Sequence, residues 1–153
     1  MRGLIVFQSK WGNARQIAEA ISKGLSEAGH EVEVARLPGA GDPAPGLEFL
    51  VIGGPTRMGR VTGPIKKYVK AIAGGGWTDI PFAAFSTGYT IHANKPSKQA
   101  SEIINETLEA AGLVPLAQPL KASVEDMHGP LSEGELERAE EYGRELGAKL
   151  STL

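Results

Sequence analysis

The stretch that constrains this chain most is residues 3–21. An apolar run, Leu4-Ile5-Val6-Phe7, stops abruptly at a polar, glycine-containing turn, Ser9-Lys10-Trp11-Gly12-Asn13. A helical repeat starts at once, with Ile17, Ile21 and Leu25 every four residues and Gly29 as its stop. This is a strand–turn–helix unit. Its helix N-terminus gathers unpaired N–H groups at the positive end of the helix dipole, so it is suited to an anion.

The rest of the chain repeats the alternation. Residues 31–36 alternate polar and apolar like an edge strand, whereas 49–52 and 82–85 are fully apolar, as strands buried inside a parallel sheet are. Helical spacing covers 63–73, 96–111 and 132–150. Residues 37–46 hold three prolines and three glycines and read as loop. Residues 113–120 are strand-like, but Pro115 and Pro119 assign them to an edge. Ser132 is expected to cap the last helix, with Glu135 as the reciprocal partner. The pattern predicts an α/β fold with a five-stranded parallel sheet, order 2-1-3-4-5, and helices on both faces. At 153 residues the chain is expected to be one domain.

Composition excludes several classes. With no cysteine there is no disulfide framework, thiolate metal site or cysteine nucleophile, which fits a cytoplasmic protein. A net charge of −2 does not suit a nucleic-acid binder. No apolar stretch approaches the roughly 18 residues of a membrane span, and Arg2 leads directly into a strand rather than a signal peptide. The mature chain is therefore expected to begin at Met1. The sequence also lacks a P-loop, a Gly-x-Gly-x-x-Gly turn after the first strand, an acidic cluster ending that strand and a Gly-x-Ser-x-Gly elbow.

In such sheets ligands bind beyond the carboxyl ends of the strands, where the winding reverses. Three loops converge there. The first offers the Ser9 hydroxyl, Gly12, the Asn13 amide, successive N–H groups, and the cations Lys10 and Arg15. Taken alone, Ser9 or Asn13 reads equally well as a helix cap. The second, residues 53–63, has Gly53 and Gly54 for close backbone approach, and Arg57 and Arg60 with no acid. The third, residues 86–94, supplies hydroxyls, Tyr89 to stack on a flat ligand, and His92.

These residues carry a resemblance. Ser9-Lys10-Trp11-Gly12-Asn13-Ala14 resembles the Ser/Thr-x-Thr-Gly-x-Thr phosphate loop of flavodoxins, in the same strand–loop–helix setting. Val51-Ile52-Gly53-Gly54-Pro55-Thr56 is similar to their second loop, Phe85-Ser86-Thr87-Gly88 to the start of their third, and residues 129–136 to the entry of their last helix. The resemblance spans the chain and implies a flavodoxin-like three-layer sandwich that binds FMN non-covalently and without an obligatory metal. It implies the phosphate on Ser9, Lys10, Gly12, Asn13 and the first-turn N–H groups, with Trp11 and Ala14 at two positions where the family carries hydroxyls. One side of the isoalloxazine would meet Pro55, Thr56, Arg57, Met58 and Gly59, and the other Ser86, Thr87, Gly88 and Tyr89.

The implied role is electron transfer between redox partners, with the flavin itself carrying the chemistry. Arg57 or Arg60 near the pyrimidine end of the flavin would raise its two-electron potential above that of an acidic flavodoxin. A runner-up is an FMN-dependent NAD(P)H or quinone-type oxidoreductase. Ser9-Lys10-Trp11-Gly12 also resembles the phosphate loop of flavodoxin-domain proteins related to menaquinone-dependent protoporphyrinogen oxidase. A third reading is a binding module that keeps the fold without the cofactor. Partners are thus a redox protein or a small electron donor or acceptor. Elsewhere, His30 is expected in a solvated turn and Trp77 at the far end of the sheet. Asp126 with His128 reads as loop capping, and Glu140 with Arg144 as an i,i+4 pair.

Overall fold

The computed structural model describes residues 1–39, 46–89 and 98–153. The chain runs β1 (Arg2–Phe7), α1 (Asn13–Glu27), β2 (Glu31–Arg36), β3 (Phe49–Arg57), β4 (Arg60–Val61) and α2 (Gly63–Gly74). It continues with β5 (Pro81–Tyr89), α3 (Ala100–Ala110), β6 (Val114–Pro115), β7 (Leu120–Val124) and α4 (Glu135–Leu150). The main sheet is parallel, in the order β2-β1-β3-β5, with both β6 and β7 pairing onto β5.

The α/β fold and the strand order agree with the sequence expectation, but there are seven strands rather than five. One extra strand is β4, which folds back antiparallel on the end of β3. The other arises because the predicted edge strand at 113–120 is misplaced. The short β6 ends at Pro115, and residues 116–119 form no strand. The full edge strand is β7, which starts at Leu120 where prolines no longer interrupt the ladder.

The strands bury alternate side chains on opposite faces. Ile5, Phe7, Phe49, Val51, Ala83 and Phe85 face α1 and α4, while Leu4, Val6, Leu50, Ile52, Phe82 and Ala84 face α2 and α3. On the first side, α1 and α4 touch backbone to backbone. A Cβ added to Gly24 would lie 2.1 Å from the Glu140 carbonyl, and one on Gly143 2.3 Å from that of Ile21. The glycines here are packing residues, since any side chain would push the helices apart.

Two more expectations are corrected. His30 is buried, not solvated: its Nε2–H donates to the Gly147 carbonyl at 2.8 Å, tying the end of α1 to α4. Ser132 does not cap α4. Gly134 takes that place with φ +85°, and the Glu135 carboxylate instead accepts the Ser123 N–H at 2.7 Å, so it joins α4 to β7. The expected start of the third helix at Pro96 lies outside the described residues. Glu140 and Arg144 do pair, at 3.8 Å. Trp77 is half-buried against the α2/α3 side of the core. No helix among the described residues is long and apolar enough to cross a membrane.

Candidate functional site

At the carboxyl edge of the sheet a cavity of about 330 Å³ opens among the ends of β1, β3, β5 and β7. Its volume falls in the ~300–1,000 Å³ range of small-molecule sites. The phosphate-loop segment forms one wall through Ser9, Lys10, Trp11, Asn13 and Ala14. The end of β3 contributes Pro55, Thr56, Arg57 and Met58, and the end of β5 contributes Thr87, Gly88 and Tyr89. Twelve of the residues expected from the sequence thus share one cavity.

The first wall is built to receive an anion. Gly12 sits at φ +90° as the residue before α1, a conformation that favours glycine, and its N–H donates to Ser9 Oγ at 3.1 Å. The Ser9 hydroxyl thus acts as an acceptor inside the loop and keeps its own proton to donate. No side chain caps α1, and its first turn contains no acid. Among the described residues no acceptor meets the N–H groups of Asn13, Ala14 or Arg15. Asn13 and Ala14 are buried and line the cavity. Buried donors without partners are costly, so this turn fits a bound anion such as a phosphate. With no hydroxyl at Trp11 or Ala14, the donors this turn offers are the Ser9 hydroxyl, the Asn13 amide and the backbone N–H groups.

Trp11 is a wall rather than a donor. The residue is 45% exposed and lines the cavity, and its indole packs on His128 with ring centroids 3.9 Å apart and planes tilted by 44°. Lys10 Nζ stands 5.0 Å from the centre of the same ring, within cation–π range.

The second and third walls are strand rather than loop. β3 and β5 stay in register past Gly53 and Gly54, pairing Gly54 with Ser86 and Pro55 with Thr87. Gly53 is therefore not a point of ligand approach. A Cβ there would meet the Phe85 carbonyl at 2.3 Å, so it is glycine because its neighbouring strand leaves no room. A two-residue turn reverses β3 into β4. Met58 and Gly59 both have positive φ, 50° and 72°, as a type I′ hairpin requires, and Met58 is 99% exposed.

Three expected residues stand outside the lining. Gly12 lies behind the loop it shapes, and Gly59 forms the hairpin tip. Ser86 is fully buried: its hydroxyl donates to Gln99 Oε1 at 2.9 Å and shares a bond with the Ser101 hydroxyl at 2.8 Å. It thus holds the start of α3 beneath the cavity. Thr56 Oγ1, which accepts the Ala100 N–H at 2.9 Å, does the same from β3. His92 lies outside the described residues.

A fourth wall was missed. Val124, the last residue of β7, and Met127 beyond it line the cavity; His128 carries the Trp11 contact; and Gly129 presses on Asn13, where an added Cβ would lie 2.6 Å from Oδ1. Asp126 accepts the Met127 N–H at 2.7 Å, a loop-capping role as expected. The sequence signal was present but hidden by the edge-strand boundary. A strand ending at 124 places residues 125–131 at the ligand edge, whereas one ending at 120 does not.

The sequence profile of the family described as Flavodoxin domain matches residues 4–121. The structure is similar to oxidised flavodoxin 2 of Bacillus cereus, with a TM-score of 0.82 and 20% identity over 97% of this chain and 99% of that one. It is also similar to a flavodoxin from the domain Archaea, with a TM-score of 0.79 and 18% identity over 99% of both chains. A third similar structure is the rubredoxin oxygen:oxidoreductase of Desulfovibrio gigas, with a TM-score of 0.79 and 14% identity over 99% of this chain and 36% of that one. The chain belongs to the flavodoxin family. Membership gives FMN as its cofactor and electron transfer as the broad role.

Proposed function

We propose that the cavity holds FMN with its phosphate on the open first turn of α1 and that the protein works as an electron carrier between partners. The observation behind this reading is the first turn of α1, where buried Asn13 and Ala14 line the cavity and no acceptor among the described residues meets their N–H groups. Those donors fix the phosphate, the Ser9 hydroxyl adds a proton, and Lys10 adds charge from the rim. The flat ring lies among the ends of β3 and β5, lined by Pro55, Thr56, Thr87, Gly88 and Tyr89. Trp11, held by His128, shields the phosphate end from water.

Bound FMN supplies one- and two-electron transfer, and the chain sets its access and potential. Arg57 and Met58 are exposed at the cavity, which suits exchange of electrons with a docked partner. Arg57 also places a positive charge where reduction adds negative charge, so Arg57→Gln is expected to lower the two-electron potential.

The test is a visible spectrum of the purified protein before and after incubation with FMN and desalting. A retained two-band flavin spectrum is expected; a colourless product overturns the reading. Anaerobic titration with NADH and NADPH then separates the two redox roles. A carrier stays oxidised, whereas direct bleaching makes the protein an FMN-dependent oxidoreductase.

A further inference from the structure

Charge is segregated along this chain. Residues 49–78 contain Arg57, Arg60, Lys66, Lys67 and Lys70 but none of the chain's 18 acids, while the whole carries a net charge of −2. All five cations are exposed, and none forms an ion pair with a described residue. Elsewhere pairing is usual. Lys23 meets Glu140 at 3.1 Å, and Arg144 meets Glu27 at 2.9 Å. On the neighbouring α3, Glu102 and Glu106 are already taken by Lys121 and Lys98.

The five form one surface. Lys66, Lys67 and Lys70 share the outer side of α2, opposite its buried Ile65, Val69 and Ile72. Arg57 and Arg60 face each other across the β3–β4 hairpin, whose tip is the fully exposed Met58. Arg57 and Met58 also line the cavity, so the surface begins at its mouth and continues along α2. Like charges left unpaired repel one another, and a solvent-held methionine gains nothing by its position. Methionine and arginine, which meet at the hairpin, are enriched at protein interfaces, and the lysines of α2 add charge that steers an oppositely charged partner.

We propose that this face, from the hairpin to Lys70, docks a partner protein through an acidic surface patch and so brings it to the cavity mouth. The consequence for electron transfer rests on the FMN reading above, but the docking itself does not. A nucleic acid fits less well, because its binding is dominated by phosphate contacts that a net-negative chain opposes and that make no use of Met58. A bilayer fits less well, because the apolar side of α2 is buried against the sheet instead of being free to enter lipid.

The test is fluorescence anisotropy with two labelled acidic polypeptides, a plant-type [2Fe–2S] ferredoxin and a polyglutamate peptide, on the protein as purified. Both are expected to bind at about 20 mM ionic strength and to lose about tenfold or more in affinity at about 200 mM, where screening shortens. K66E/K67E/K70E, checked for its circular dichroism, should cut low-salt affinity at least about tenfold, while Arg2→Glu, at the far end of the sheet, should change it less than about twofold. The proposal is overturned if neither polypeptide binds or if the triple variant binds like the wild type. It is also overturned if duplex DNA or phosphatidylserine vesicles bind more tightly than the ferredoxin. The flavin spectrum of each sample is recorded alongside, so a protein that binds no FMN yet still docks would sink only the cofactor reading.

Discussion

Helices α1 and α2 both follow strands that end at the ligand edge, and both begin without a capping side chain, yet they use that position in opposite ways. The first turn of α1 brings buried Asn13 and Ala14 to the cavity, with N–H groups that no acceptor among the described residues meets; the first turn of α2 contains Pro64, which has no N–H to offer. The rest of α1 packs on the sheet and, through Gly24 and Gly143, on α4 at van der Waals distance, leaving Arg15, Glu19 and Lys23 in water. The rest of α2 has one buried side and one side of lysines in water. A helix gripped by both the sheet and a second helix through glycine contacts can hold a ligand at a fixed place. A helix open on one side can present charge without endangering the fold.

The strongest way to break this contrast is to fill the anion site of α1 with its own anion. Ala14→Asp places a carboxylate among the first-turn donors and is expected to weaken FMN binding at least about a hundredfold, roughly 3 kcal/mol, by fluorescence titration. Next is the α1–α4 seam. Gly143→Ala has no room for its methyl group and should cost about 1–3 kcal/mol in chemical denaturation, whatever the FMN concentration.

A smaller effect concerns Tyr142, which is buried on α4 and donates to the Gln118 carbonyl at 2.7 Å. Burial, and then the nearby Glu145, push its phenol well above the ordinary range. Its folded pKa is raised, so its contribution is complete below about pH 10, the unfolded phenol value, and shrinks as pH climbs beyond that. Tyr142→Phe should cost about 0.5–1.5 kcal/mol near neutrality and flatten the loss of stability above pH 10, read from denaturation midpoints across that range. The smallest effect is expected on α2. K66Q/K67Q/K70Q should leave stability within about 0.5 kcal/mol, since these side chains touch nothing that folds the chain. A larger loss there would end the distinction between the two helices.

The sequence carried the layer architecture because each element announces its period: Leu4 to Phe7 as a buried run, Ile17, Ile21 and Leu25 as a helix face. It carried much of the site because ligand edges follow from strand order. It failed where long-range pairing overrode local signals. Gly53, Gly54 and Pro55 read as the start of a loop, yet the ladder to β5 keeps them in the sheet. Pro119 read as an interruption near the end of a strand, and instead stands just before one. Gly24 and Gly143 gave no sign of their role, since only the approach of a distant helix makes a mid-helix glycine necessary. His30 was misjudged for the same reason, because its partner is 117 residues away in sequence.

The two-residue turn at Met58 and Gly59 has a further meaning for how chains of this architecture diverge. Its flanks, Thr56 with Val61 and Arg57 with Arg60, are locked across the ladder, while the tip touches nothing. Residues inserted between Met58 and Gly59 would lengthen the hairpin without shifting the register of β3 against β5 or moving any core side chain. The segment that overhangs the cavity is therefore also where length can vary at little expense to the fold, so access to the ligand edge can evolve independently of the architecture that creates it.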